Sequence, residues 1–248
     1  MSRFSLNYLG IFFIIISFLS FFNILYSYYF NLYLNIDAYI YTLFISLITG
    51  ALLLFIKKKD KKITIYEKII IVIIGYILLP IIISIPYYLS IYNISLTDCY
   101  FEAISGFTST GFTIIDNIKH LDESLIIWRS TSQWIGGIYF LFSIVLLIDI
   151  SDNSLKKSLT NFISINTSEL FKQSFKILIL YTTLTFVIFI VLNLIDIRFF
   201  DAFNLSMTII SSGGFLPVNN LSTIVNSNFK EIIFSLLMLV SFFSIFLC

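Results

Sequence analysis

Charge is scarce in this sequence. Of its 248 residues only 12% are Asp, Glu, Lys or Arg, about half the usual quarter of a soluble domain, too little to cover a globular surface of this size. Histidine occurs once, at His120, and cysteine twice, at Cys99 and Cys248. One histidine excludes an H-E-x-x-H helix, and two distant cysteines exclude a disulfide framework or a cysteine zinc site. A net charge of +1, with no basic run interleaved with aromatics, gives no footprint for nucleic acid. No paired carboxylates or Ser–His set stands in an apolar segment, so an intramembrane enzyme is not the reading. What remains is apolar: 58% of the residues are hydrophobic, and the partner they imply is membrane lipid.

A helix that crosses a bilayer needs about 20 mostly apolar residues. Such runs lie at 8–30, 38–56, 67–92, 124–149, 174–196 and 229–248, so the chain reads as an all-α, multi-pass integral membrane protein. The first run is longer than a signal-peptide core and lacks a small-residue cleavage site, so it is expected to be retained. Two further segments, 97–106 and 200–210, have helical patterns but are too short to cross. Lys57, Lys58, Lys59, Lys61 and Lys62 form the strongest basic cluster, which assigns their loop to the cytoplasm. Counting spans from there, 150–173 with Lys156, Lys157 and Lys172 is also cytoplasmic. The segment 93–123, with Asp98, Glu102, Asp116, Asp122 and Glu123, is then outside. The expected location is the cell (inner) membrane, with a cytoplasmic N-terminus.

The two short segments belong to a repeat. "DCYFEAISGFTSTGF" (Asp98–Phe112) aligns without a gap on "DAFNLSMTIISSGGF" (Asp201–Phe215). Asp98 lies over Asp201, Thr108 over Ser211, Ser109 over Ser212, Gly111 over Gly214 and Phe112 over Phe215. The unit is helix, half-helix, Ser/Thr/Gly run, helix, in one orientation both times, as in the helix–pore-loop–helix repeats of K⁺ channels. Non-helical backbone at membrane depth survives only inside protein or along a water-filled cavity. A half-helix running inward points its negative dipole end at the membrane interior, where it favours a cation. Small residues and glycine then let successive carbonyls face one side, which is how K⁺ filters replace the ion's hydration shell.

"FEAISGFTSTGFT" followed by "WRSTSQWIGG" (Trp128–Gly137) resembles the first pore repeat of the Trk/Ktr/HKT superfamily, in its TrkH/KtrB-type membrane subunits. "SSGGF" (Ser211–Phe215) resembles their second filter segment. The resemblance implies potassium uptake through a carbonyl-lined filter, four repeats around one pore, and a cytosolic nucleotide-binding regulatory ring subunit. It implies that Thr108, Ser109, Thr110, Gly111 and Phe112, with Ser211, Ser212, Gly213, Gly214 and Phe215, each line a quarter of the filter. No cofactor is implied beyond K⁺ as the transported ion. The divisions are 1–62, an N-terminal pair of helices; 63–150, a first repeat; and 151–248, a second repeat expected to be truncated. Repeats three and four are then supplied by a longer chain or by a second copy. The alternative is a non-conducting membrane subunit, or an incomplete product, that keeps the fold.

Single residues leave choices open. Arg129 either holds the outer loops of the filter, snorkels to the interface or shapes cation passage. Gly136 and Gly137 permit close helix approach or form a hinge. Pro80 and Pro86 kink the third span, or Pro86 ends it. Asp98 and Asp201 suit helix N-termini. His120 reads as a surface residue and Cys99 as a packed one.

Overall fold

A computed structural model describes residues 3–55, 65–148 and 170–242. The described residues form α1 (Arg3–Tyr29), α2 (Ile36–Phe55), α3 (Ile65–Ser90), α4 (Leu96–Phe107), α5 (Glu123–Ile148), α6 (Leu170–Leu194), α7 (Phe199–Ile210) and α8 (Asn228–Phe242), joined by three short 3₁₀ turns. Five of these helices are long and apolar enough to cross a membrane. The sixth expected span is described over Asn228–Phe242, and the rest of it lies outside the described residues. So do the 57–62 lysines, Lys156, Lys157 and both division points.

α1 and α2 make an antiparallel hairpin in which glycine faces glycine. A Cβ on Gly10 would stand 3.1 Å from the Gly50 carbonyl oxygen, the close backbone approach that small residues allow between apolar helices. Ser20 donates to the Tyr39 carbonyl (2.7 Å) and Ser17 to that of Leu43 (3.2 Å). The hairpin packs on α5 and α3, where Phe12 meets the rings of Tyr139 and Phe142 edge-on.

α4 and α7 have 12 residues each, about 18 Å of helix against a hydrocarbon core of about 30 Å. Neither crosses, as the repeat alignment requires. The repeat extends beyond the aligned letters. Asn93 and Asp196 both have positive φ before the half-helices, and Ser109 and Ser212 both have it after them. The 3₁₀ turns Ile118–His120 and Leu221–Thr223 fall at the spacing that separates Asp98 from Asp201.

α5 is the most enclosed helix. Of its most apolar stretch 78% is buried, against 28% for α2 and for α6. α3 carries both Pro80 and Pro86 in its interior, so Pro86 does not end it. Each proline weakens the helical hydrogen bonding of the preceding turn, and side chains reach the carbonyls three residues upstream. Tyr100 donates to Ile77 O (3.2 Å) and Trp128 Nε1 to Ile83 O (3.0 Å).

Candidate functional site

The site is built from the half-helix ends outward. α4 begins at Ser95, whose hydroxyl accepts from the Asp98 N–H at 3.1 Å. Asp98 is therefore not the cap but lies in the first turn. Asp201 likewise sits in the first turn of α7, with Arg198 at the cap position. Both carboxylates act through the positive end of the helix dipole. Burial raises the Asp201 carboxyl above its ordinary pKa, against the opposing pull of Arg198.

Both half-helices end in one motif. The Thr110 N–H reaches back to Ser105 O (3.0 Å) and that of Ser109 to Gly106 O (2.9 Å). In the second repeat Gly213 N–H bonds Thr208 O (2.8 Å) and Ser212 N–H bonds Ile209 O (2.9 Å). This is the Schellman pair, closed by a left-handed residue, here Ser109 (φ 55°) and Ser212 (φ 54°). It satisfies two of the last four carbonyls of each half-helix, so only the final ones remain to face a cation.

Beyond the motif the two segments converge. Gly111 has φ +80°, and a Cβ there would lie 2.5 Å from the Cα and 2.6 Å from the nitrogen of Gly214. The first and second runs thus touch backbone to backbone at the two candidate filter glycines. Next to them, Thr108, Ser109, Ser211 and Ser212 line a cavity of about 320 Å³ together with Tyr76 and Tyr181. The two aligned phenylalanines part ways. Phe112 is 70% exposed and Phe215 is 1% exposed, and the Phe112 carbonyl is turned back to the Ser105 hydroxyl at 2.5 Å.

One stretch of α5 seats both segments. Gly136 lies against the carbonyl of Phe107 at the end of α4, and Gly137 against Ser211 at the end of α7. These two glycines serve close approach, where a side chain would collide. Trp134 Nε1 donates to Thr185 Oγ1 of α6 at 3.0 Å. With its amide oxygen turned to the available donors, Gln133 accepts from Gly214 N (3.0 Å) and Phe215 N (3.1 Å). Further out, Asn219 accepts from Ile118 N (2.8 Å) and donates to Asn117 (3.0 Å), tying the two outer loops.

Arg129 does not snorkel. It is 1% exposed, pairs with Glu102 at 2.9 Å, donates to Thr113 Oγ1 at 3.1 Å and lies 4.3 Å above the Phe215 ring. Glu102, fully buried, also accepts from Thr113 Oγ1 (2.9 Å) and Ile114 N (3.2 Å). It is therefore not one of the solvent-facing acids of the outer segment. Glu102, Ser105 and Gln133 are the site residues that sequence reasoning passed over. The usable signal was an acid in the middle of a half-helix, within helical reach of a filter run. His120 is exposed, and Cys99 is buried.

Comparison with known proteins bears on the family and the fold. Residues 35–247 match the family model "TrkH: Cation transport protein". An uncharacterised cation transporter of Methanocaldococcus jannaschii is 32% identical over 192 residues, which is 73% of this chain and 38% of the relative. The Trk system potassium uptake protein TrkH of Escherichia coli K12 is 29% identical over 115 residues, 46% of this chain and 24% of that protein. The crystal structure of the potassium transporter TrkH from Vibrio parahaemolyticus superposes with a TM-score of 0.78 at 22% identity, over 96% of this chain and 49% of that one. The chain spans about half the length of that solved structure and less of the two sequence relatives. With a family match over most of its length and a shared fold, the chain belongs to the TrkH family of cation transport proteins.

Proposed function

We propose that this chain supplies two of the backbone segments of a potassium filter, Thr108–Phe112 and Ser211–Phe215, in a protein that takes up K⁺ across the cell membrane. The observation that carries the reading is the pair of half-helices with one C-terminal motif, whose runs meet at Gly111 and Gly214. Backbone able to turn successive carbonyls to one side, as glycine allows, is what a narrow, carbonyl-lined passage requires, and small hydroxyl side chains line the adjoining cavity. Support also comes from the relatives named for potassium uptake.

Two more segments complete the ring. α8 carries Ile232, Leu236, Leu239 and Val240 on its exposed side. All four are apolar and 41–60% exposed, a face suited to a further repeat, from a longer chain or from a second copy. The basic loops are proposed as cytoplasmic, with the N-terminus on the same side, and as the approach of a nucleotide-binding ring. A non-conducting role for the chain by itself is favoured by one observation: contact between Gly111 and Gly214 leaves no ion-wide gap between these two segments.

Growth of potassium-uptake-deficient cells tests both. The complete gene should restore growth at low K⁺, whereas failure together with normal membrane insertion would overturn the filter assignment. This chain expressed alone separates a self-sufficient assembly from a half-ring.

A further inference from the structure

We infer that Glu102 is a positioning residue that, through Arg129, couples the first and second backbone segments into one mechanical unit. Its role in ion selection rests on the filter reading above; the coupling itself does not.

Glu102 belongs to α4 and is fully buried. One of its carboxylate oxygens accepts from Arg129 Nε at 2.9 Å and forms the ion pair with Nη2 at 2.9 Å. The other takes the Ile114 N–H at 3.2 Å, and Thr113 Oγ1 reaches both, at 2.9 and 3.0 Å. The carboxylate thereby fixes the backbone just after the first run. Arg129 passes the constraint on, since the same guanidinium lies 4.3 Å over the Phe215 ring. One helical turn along α5, Gln133 holds the Gly214 and Phe215 N–H groups. Removing one partner of a buried ion pair strands the other, and Arg129 depends on Glu102 the more because its Nη1 has no hydrogen-bond partner among the described residues.

Among the described residues the second repeat has no such device. Leu205 stands where Glu102 stands in the first, and, counted from the first residues of the following helices, Glu123 and Asn228, Phe234 and Met238 stand where Arg129 and Gln133 do. Leu205 and Phe234 are buried, while Met238 is exposed. The repeats are thus alike in backbone and unlike in what holds them. The charged clamp is built once, on the boundary where segments one and two meet. Glu102 has no hydrogen bond to the second segment among those described, so an effect there after changing Glu102 travels through Arg129, whose guanidinium lies on Phe215, or through the Gly111–Gly214 contact that the first run makes.

Hydrogen–deuterium exchange on the purified chain in lipid nanodiscs reads this directly. Glu102→Gln keeps the shape but loses the acceptor for one N–H donor and the negative charge. It should speed exchange roughly tenfold, the order set by a charge-assisted hydrogen bond, in peptides covering 108–116 and also 211–217. Peptides from the α1–α2 hairpin should keep their rates. Phe215→Leu should speed exchange at 108–116 in return, because coupling is reciprocal. If Glu102→Gln loosens only 108–116 and Phe215→Leu only its own segment, each change is local and the proposal is overturned. Uniform acceleration throughout the chain also overturns it. Should Glu102→Gln not fold, the Phe215→Leu arm decides by itself. Comparing KCl with NaCl for the unaltered chain tests the filter reading separately, since a filter predicts stronger protection of both segments in K⁺.

Discussion

At the scale of the residue, the two candidate filter glycines are not equivalent. Gly111 combines φ +80° with a neighbouring backbone 2.5 Å from its notional Cβ, whereas the same construction at Gly214 meets Gly111 Cα at 3.2 Å. An added methyl at Gly111 faces conformational strain of about 1 kcal/mol or more plus a contact with backbone that has no rotamer to yield. Gly111→Ala should therefore lower the K⁺/Na⁺ permeability ratio of the complete transporter more than Gly214→Ala, and ion-replacement measurements on both give the comparison. Equal losses would mean that the φ and the contact at Gly111 do not matter to the ion. Cys99 offers a cleaner reading of burial. It has no exposed surface, and burial pushes its thiol up to about 11, so almost no thiolate exists at neutral pH. Maleimide treatment at pH 7.5 should leave the Cys99 peptide unlabelled in the folded chain and label it after denaturation.

The element scale decides how legible the site was. The half-helices were readable because length and polarity conflict there: 12 residues bounded by Ser, Thr and Gly cannot span lipid, and two such stretches align. α5 was readable as a span but not as a clamp. A helix pattern reports which face is apolar, whereas Gln133 and Arg129 reach partners in the next repeat, a relation set by how repeats pack. Glu102 was hidden for a related reason. Counted as one acid among five in an outer segment, it looked solvated, and only the guanidinium opposite it shows that it is not. The cap of α4 is Ser95 and not Asp98, because the Ser95 hydroxyl accepts the Asp98 N–H and so places Asp98 inside the first turn. The packing of α5 carries its own test. A side chain at Gly136 runs into the Phe107 carbonyl, so Gly136→Leu should separate α4 from α5 at a cost of about 1–3 kcal/mol. Thermal unfolding in detergent should show a lower Tm for this variant, and a neutral result would mean that α4 is not seated on that glycine. Leu239, on the exposed side of α8, is 56% exposed, and Leu239→Ala should leave the chain's Tm nearly unchanged.

For the whole molecule the question is whether two segments suffice to pass an ion. A K⁺ filter of the carbonyl type works because oxygens on all sides replace water at once. On the proposed reading the two runs supply one side of such a ring; they touch at Gly111 and Gly214, and Phe112 is left 70% exposed beside them. The outward face of α8 presents Ile232, Leu236, Leu239 and Val240, all apolar and exposed. In a bilayer such a face is compatible with lipid, whereas the open side of the filter is not, because unpaired backbone groups in hydrocarbon cost several kcal/mol each. The 248-residue chain held as a monomer should therefore show no selective K⁺ flux, and at higher protein density should gain a partner that covers Phe112 and α8. Reconstitution into vesicles at limiting protein-to-lipid ratio, with single-molecule photobleaching to count chains, separates these states. Flux that appears only in vesicles with two chains would identify a second copy as the source of the remaining segments. K⁺-selective flux from vesicles that hold one chain would overturn the requirement for four segments and, with it, the half-ring reading of this protein.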